Sequence, residues 1–241
     1  MDTDSADLRK HISQQFNVEL EDLRNRVLTM GGLVHQQIRD ATDALSRGDT
    51  MLAEHVIATE AQVDAMELSI DEECSQIIAL RQPAASDLRL ILAVIKAITD
   101  LERMGDKAER IAVIALELAK HSRPRNQYDD IQAMARNVLV MLREALDAFA
   151  RMDIEVAYKV TRDDRVVDRQ YESITRQQLT FMLEDPRTIS RALELMRVAR
   201  ALERIGDHSG NVCEYVIYLV KGKHIRHASP QEVERLIRPE K

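Results

Sequence analysis

Two short phrases in the sequence repeat the same pair of acidic residues at the same spacing. Residues 101–106 read LERMGD and residues 202–207 read LERIGD, so Glu102 and Asp106 correspond to Glu203 and Asp207. Residues four apart in an α-helix differ by only about 40° around its axis, so each pair presents two carboxylates on one face. Carboxylate oxygens are the ligands that hard cations such as Mg²⁺, Mn²⁺ and iron prefer.

Helical rotation predicts that these acids share a face with apolar residues. With Ile95 as reference, Ile91 marks an apolar stripe expected to be buried, and Glu102 and Asp106 fall within about 20° of its centre. The second phrase behaves in the same way around Met196. Carboxylates crowded onto a half-buried face are costly to desolvate and repel one another, so a bound cation would offset the cost.

A second pair of acids precedes each phrase on the preceding helix. EAQVD gives Glu60 and Asp64 in the first half, and DRVVD gives Asp164 and Asp168 in the second. Each half therefore offers two acidic pairs with the spacing [ED]xxxD on neighbouring helices. Four such pairs at corresponding places favour metal binding over an ordinary solvated face.

Two alternatives use the same acids differently. Arg103, Arg110 and Arg204 lie close by, and acid–arginine pairs at helical spacing are common surface features. A purely structural module with solvated acids, or a metal-storage or metal-dependent phosphohydrolase protein, therefore stays open. The sequence shows no ExxH di-iron pattern, no phosphate-binding glycine loop and no nucleophilic triad, and His208 points away from Asp207, so we predict no enzymatic activity.

The composition predicts a helical globular protein. Of 241 residues, 45% are hydrophobic, and only 7 are Gly and 5 are Pro. The net charge of −7 and the lack of a Lys/Arg run disfavour nucleic-acid binding. The isolated Cys74 and Cys213 are expected to be buried as small apolar residues. Such sparing use of cysteine is typical of a reducing compartment. We see no targeting segment, and the longest apolar run is too short to span a bilayer, so no membrane insertion is expected.

Breaks in the helical pattern divide the chain into six helices. Gly48, Pro83, Pro124, Pro186 and Gly222 mark the principal breaks. The helices are predicted at roughly 8–46, 49–80, 84–121, 128–150, 153–183 and 187–221.

The two halves of this pattern repeat each other. ALSRGD aligns with AFARMD, and LERMGD aligns with LERIGD. The expected fold is all-α, a tandem pair of three-helix bundles related by a pseudo-twofold axis. The predicted domains are residues 1–122 and 127–223, followed by a C-terminal tail at 224–241.

The motifs together resemble the PhoU family of bacterial phosphate-transport regulators. The resemblance rests on LERMGDKAERI, MLEDPRTISRAL and RALERIGDHSGNVCEYVIYLVKGKHIRH, and it extends over nearly the whole chain. It implies two three-helix bundles in tandem that hold multinuclear metal clusters. By motif, the first cluster would use Glu60, Asp64, Glu102 and Asp106, and the second would use Asp164, Asp168, Glu203, Asp207 and Asn211.

One position departs from the family pattern. Many relatives have Asn four residues after the Asp of both phrases, whereas this chain has Asn211 in the second half and Arg110 in the first. A guanidinium beside the first cluster would neutralise acids in place of a cation. We therefore predict unequal metal occupancy, with the second half fuller.

The resemblance also implies a role. It predicts a cytoplasmic negative regulator of the phosphate-starvation response that modulates the phosphate ABC transporter and couples its state to a sensor histidine kinase. The implied partners are the ATPase subunit of that transporter and the kinase, with a homodimer as the expected assembly. The implied cofactors are divalent or trivalent ions of iron, manganese, magnesium or zinc.

Overall fold

A computed structural model describes residues 3–121, 128–226 and 228–237, with only the backbone described for residues 3–14 and 230. The helices are α1 (Thr3–Arg47), α2 (Thr50–Arg81), α3 (Ala85–Ala119), α4 (Asp129–Arg151), α5 (Ile154–Glu184), α6 (Ile189–Lys221) and α7 (Pro230–Ile237). A single 3₁₀ turn, Pro186–Thr188, precedes α6. The predicted all-α class is confirmed, with no strand in the described ranges.

The first helix of each half ends in the same way. Gly48 and Met152 both adopt left-handed backbone conformations, with φ of 69° and 54°. The residue that follows is an N-cap: the Asp49 carboxylate accepts from the backbone of Leu52, and the Asp153 carboxylate caps α5 in the same manner. The turn between the first two helices is therefore repeated, as the alignment of ALSRGD with AFARMD predicts.

The ends of α5 and α6 also follow their sequence signals. Asp185 caps the 3₁₀ turn that begins with Pro186. Gly222 ends α6 at φ 68°, a left-handed conformation that glycine adopts without strain. The predicted break at Pro124 and the predicted domain boundary at 122–127 lie outside the described residues.

The helices pack as two bundles of three. Helices α1, α2 and α3 contact one another, and α4, α5 and α6 do the same. The contacts between bundles join α3 to α6 and α1 to α4. Each of these is a contact between corresponding helices of the two repeats, which is the arrangement that a pseudo-twofold axis requires.

The buried arc of α3 differs from the predicted stripe. Val94, Ile98 and Leu101 are almost completely buried, whereas Ile95 is only half-buried and Asp106 is exposed. Because α3 packs against α1, α2 and α6, its apolar arc is wide and is centred away from Ile95. Helical rotation predicted that the acids of α3 lie at the centre of the buried arc. They lie instead at its edge.

Three apolar residues join the C-terminal segment to the core of the protein. Ile225, Val233 and Ile237 are buried in the apolar core. Cys74 and Cys213 are buried free thiols, as expected. Within the described ranges, no helix has the length and apolar character needed to cross a bilayer.

Candidate metal centres

The glycine in each repeated phrase lets the helix that bears the preceding acidic pair approach closely. A Cβ added at Gly105 would lie 2.9 Å from both carboxylate oxygens of Glu60, which comes from α2. At Gly206 the same atom would lie 3.3 Å from Oδ1 of Asp164, which comes from α5. In each half, the missing side chain therefore leaves the space that a carboxylate of the neighbouring helix fills.

Glu60 is the most deeply buried of the four predicted ligands in the first half, at 7% exposure. The side-chain amide of Gln37 on α1 donates to its Oε2 at 2.6 Å, while Oε1 is buried with no hydrogen-bond partner in the described chain. Burial raises the pKa of Glu60 to about 7, against the effect of the Gln37 hydrogen bond. The carboxyl is thus poised between its neutral form and a charged form that lacks a second partner.

The remaining acids of the first half surround Glu60. Charges on Asp64 and Asp106 raise the pKa of Glu60 further, after burial. Burial raises the pKa of the half-buried Glu102, followed by the charges on Asp106, Glu67 and Asp64. The structure therefore brings all four predicted ligands of the first half into one acidic cluster. Two more acids, Glu67 and Glu109, add their charge to it.

The second half contains the more compact cluster. Asp164, Asp168 and Asp207 each offer a carboxylate oxygen, and these three atoms lie within 4.8 Å of one another. Oδ1 of Asp164 is buried without a hydrogen-bond partner in the described chain. Burial raises the pKa of Asp164 to about 7, and the charges of Asp168, Asp207 and Glu203 add to the rise.

Glu203 and Asp207 differ from their first-half counterparts in having arginine partners. Arg200 donates to Glu203 at 2.5 Å, and Arg204 donates to Asp207 at 2.9 Å. Burial and the charge of Asp207 still raise the pKa of Glu203, and its Oε2 is buried without a hydrogen bond. The two guanidinium groups thus neutralise only part of the negative charge of the α6 acids.

Arg110 does not neutralise the first cluster. Its side chain is exposed on α3, and among the residues with described side chains it forms no ion pair. The arginines that do pair with candidate ligands lie in the second half, the reverse of what the Arg110 departure suggested.

Asn211 is not bound to the acids of the second cluster. Its side-chain amide donates to Oδ1 of Asp100 at 3.1 Å. Asp100 lies on α3, is 3% exposed, and also bonds His208 at 2.6 Å and the hydroxyl of Tyr215 at 2.7 Å. Burial alone would raise the pKa of Asp100, but these hydrogen bonds outweigh it and lower the pKa. His208 thus faces away from the metal candidates, as predicted.

Sequence reasoning missed Gln37, Asp100 and the role of the two glycines. The glycines had a usable signal, because a glycine between the Glu and Asp of both phrases weakens a helix unless close packing requires it. Gln37 and Asp100 had none, since each contacts acids or donors that lie from 23 to 115 positions away in the chain.

The chemistry of both clusters suits hard cations. Buried carboxylate oxygens without donors, and acids whose charges raise one another's pKa, are the features that a bound cation would stabilise. Oxygen-rich sites of this kind take Mg²⁺, Mn²⁺ or iron ions. The residues present therefore fit metal ions, most compactly at Asp164, Asp168 and Asp207.

Comparison with known proteins identifies a family. A family model described as the PhoU domain matches residues 27–115 and again 131–216. The phosphate-specific transport system accessory protein PhoU of Serratia marcescens is 47% identical over 234 residues, covering 97% of this chain and 96% of that protein. The PhoU homolog of Pseudomonas aeruginosa is 49% identical over 220 residues and covers 91% of each.

Solved structures agree with this match. The crystal structure of PhoU from Pseudomonas aeruginosa superposes with a TM-score of 0.84 at 48% identity, covering 86% of this chain and 100% of that one. The phosphate transport system regulatory protein PhoU from Streptococcus pneumoniae superposes with a TM-score of 0.81 at 28% identity, covering 87% and 98%.

Proposed function

The chain belongs to the PhoU family, and we propose that it is an accessory regulator of phosphate-specific transport. The observation that carries the proposal is the identity of 47–49% to proteins named for this role, over 91–97% of the chain. Those relatives are named as accessory and regulatory proteins, in agreement with the prediction that the chain is not an enzyme.

The finer proposal is a negative regulator of the phosphate-starvation response. The protein would act in the cytoplasm by contact with the ATPase subunit of the phosphate ABC transporter and with a sensor histidine kinase, and it would work as a homodimer. The long polar helix faces support this, because large polar surfaces are typical of transient signalling contacts.

Metal ions are the proposed cofactors. Glu60, Asp64, Glu102 and Asp106 would hold the first cluster, and Asp164, Asp168, Glu203 and Asp207 the second. Asn211 would join the second cluster only by releasing Asp100, since its amide is engaged there. The buried carboxylate oxygens without donors support this assignment.

A pulldown from cells grown in high and low phosphate tests the regulatory proposal. The tagged protein is expected to capture the transporter ATPase and the kinase, with more kinase captured when phosphate is plentiful. A strain that lacks the protein should express phosphate-starvation genes constitutively, and the wild-type chain should restore repression. Normal repression in the deletion strain would contradict the proposal.

The same strain tests the contribution of the metal. Asp207→Asn is expected to weaken repression, whereas Asp22→Asn, at an exposed position of α1, should repress normally. Full repression by Asp207→Asn, with metal shown to be lost, would separate regulation from metal binding. A colorimetric phosphatase assay with Mn²⁺, Mg²⁺, Zn²⁺ and Fe²⁺ should show no turnover that depends on Asp207.

A further inference from the structure

A cavity between the two bundles lies beside the start of the C-terminal segment. It encloses about 290 Å³ and is lined by residues of α3, of α6 and of the segment that follows α6. The lining includes Lys96 and Arg103 from α3, Tyr215 from α6, and His224 and Arg226 from the following segment. Among the predicted metal ligands, Asn211 alone lines this cavity, and its amide donates to Asp100.

Three cationic side chains line this cavity and form no ion pair with an acid in the described chain. In the part of the chain whose side chains are described, no ion pair joins Lys96, Arg103 or Arg226 to a carboxylate. The ammonium of Lys96 instead lies 5.8 Å from the ring centroid of Tyr215 and 5.9 Å from that of Tyr218. Cations held at the rim of a concave surface by aromatic rings are available to a ligand.

Asp100, which lines the cavity, is already engaged by other side chains. Both oxygens of Asp100 accept hydrogen bonds from α6 side chains: Tyr215 donates to Oδ2, while Asn211 and His208 bond Oδ1. Asp100 is thus satisfied within the bundle interface and is 3% exposed. Glu214 also lines the cavity, so three permanent cations face two acids there.

The segment after α6 is fixed in place at the cavity. Ile225 is buried in the core, which positions Arg226 beside Tyr215. The ring of His224 stacks on Tyr218 with a centroid distance of 4.1 Å. Lysine and arginine side chains of α3 and of the segment after α6 therefore line one cavity, a combination that suits the binding of phosphate groups.

We propose that this cavity binds a phosphate group through Lys96, Arg103 and Arg226. The volume is at the small end of ligand sites, which favours inorganic phosphate over a whole nucleotide. The ligand would bridge α3 of the first bundle, α6 of the second and the C-terminal segment. Its binding would therefore act at the interface between the bundles. The proposal rests on these residues and does not depend on the metal centres.

The test measures binding of inorganic phosphate to the full-length, chelator-treated protein by isothermal titration calorimetry. Chelation removes metal ions, which would otherwise offer phosphate a second site. Lys96→Gln with Arg226→Gln is expected to weaken binding by about a hundredfold or more, because two charge-assisted contacts to the phosphate are lost together. Lys120→Gln, at an exposed lysine that follows α3, is the matched control and should bind within about twofold of wild type.

Two further measurements make the outcome decisive. Glu117→Gln, at an exposed site of α3 outside the cavity lining, should bind phosphate as the wild type does. ATP is titrated in parallel: binding that is tighter than for phosphate and equally dependent on Lys96 and Arg226 would assign the phosphate group to a nucleotide. Absence of binding, or binding that the double variant leaves unchanged while its melting temperature matches wild type, overturns the proposal.

Discussion

Gly105 and Gly206 show how one missing side chain shapes each candidate site. Glycine in a helix interior normally costs about 0.5–1 kcal/mol relative to alanine. At these two positions the cost is offset, because the space left free is occupied by Glu60 or Asp164 of the adjacent helix. The acidic pairs and the glycines are therefore parts of one arrangement.

Alanine at Gly105 is expected to destabilise the protein. The added methyl would meet both oxygens of Glu60, a carboxylate that Gln37 holds in place. Overpacking of this kind costs about 1–3 kcal/mol, more than the gain in helix propensity. Guanidinium unfolding should show a net loss of about 1–2 kcal/mol for Gly105→Ala.

Gly210→Ala is the matched control for this substitution. Apart from its chain neighbours and the backbone of its own helix turn, nothing lies within 4 Å of the added Cβ, so Gly210→Ala should gain about 0.5–1 kcal/mol from helix propensity alone. Gly206→Ala, whose nearest contact is 3.3 Å, should lie between the two. Equal stability changes at Gly105 and Gly210 would show that the close approach has no energetic consequence.

Glu60 gives the metal-free protein a defined pH dependence. Its pKa is raised from an ordinary 4.5 to about 7, so the folded state keeps a proton that the unfolded state releases near pH 4.5. The free energy of unfolding must therefore fall as the pH rises from about 4.5 to about 7. Asp164, also raised to about 7, acts in the same direction.

Thermal unfolding of the chelated protein between pH 5 and pH 7.5 measures this effect. The melting temperature should fall across that range. Glu60→Gln should reduce the fall, because a glutamine side chain does not titrate. Glu54→Gln, at an exposed position of the same helix, should leave the slope unchanged. A rise in stability with pH in the chelated protein would contradict the raised pKa values.

At the scale of the helices, local sequence signals predicted where the helices begin and end better than they predicted which residues contact one another. The predicted ends of α1 to α6 agree with the observed ones to within a few residues, apart from the start of α1, because Gly48, Asp185 and Gly222 act on their own neighbours. Helix α7 lies within the predicted C-terminal tail and was not predicted. The buried arc of α3 was misplaced because its width depends on which other helices pack on it. Asn211 was assigned to a metal from its motif, yet it donates to Asp100, 111 positions away.

The Asp100 network is the principal polar link between α3 and α6. Removing the carboxylate would leave donors of His208, Asn211 and Tyr215 without an acceptor in a largely buried interface. Asp100→Ala is therefore expected to lower the free energy of unfolding by about 3 kcal/mol. Tyr215→Phe removes one hydrogen bond and should cost about 1 kcal/mol.

A double-mutant cycle tests whether these residues act together. Asp100→Ala combined with Tyr215→Phe should cost less than the sum of the single changes, because the phenol has no acceptor once Asp100 is gone. Glu117→Ala, at an exposed site of α3, should change stability by less than about 0.5 kcal/mol. Strict additivity would mean that the hydrogen bond contributes nothing to the link between the bundles.

In the whole molecule, the two repeats share a fold but not the same electrostatics. The second half holds three carboxylate oxygens within 4.8 Å of one another, and no comparable group of His, Cys, Asp or Glu occurs in the first half of the described chain. The first half instead has Gln37 bound to Glu60, the most buried of its four predicted ligands. Preorganised ligands lose less conformational entropy when a cation binds, which favours the second half.

This asymmetry yields a prediction about metal content. Asp207→Ala is expected to remove a larger share of the bound metal than Asp106→Ala, as measured by elemental analysis of each purified variant. Asp22→Ala, at an exposed position on α1, controls for adventitious ions. The expectation now rests on the compact oxygen set around Asp207, since Arg110 forms no ion pair with the first cluster. Equal metal loss from both variants would show that the repeats bind alike despite their different surroundings.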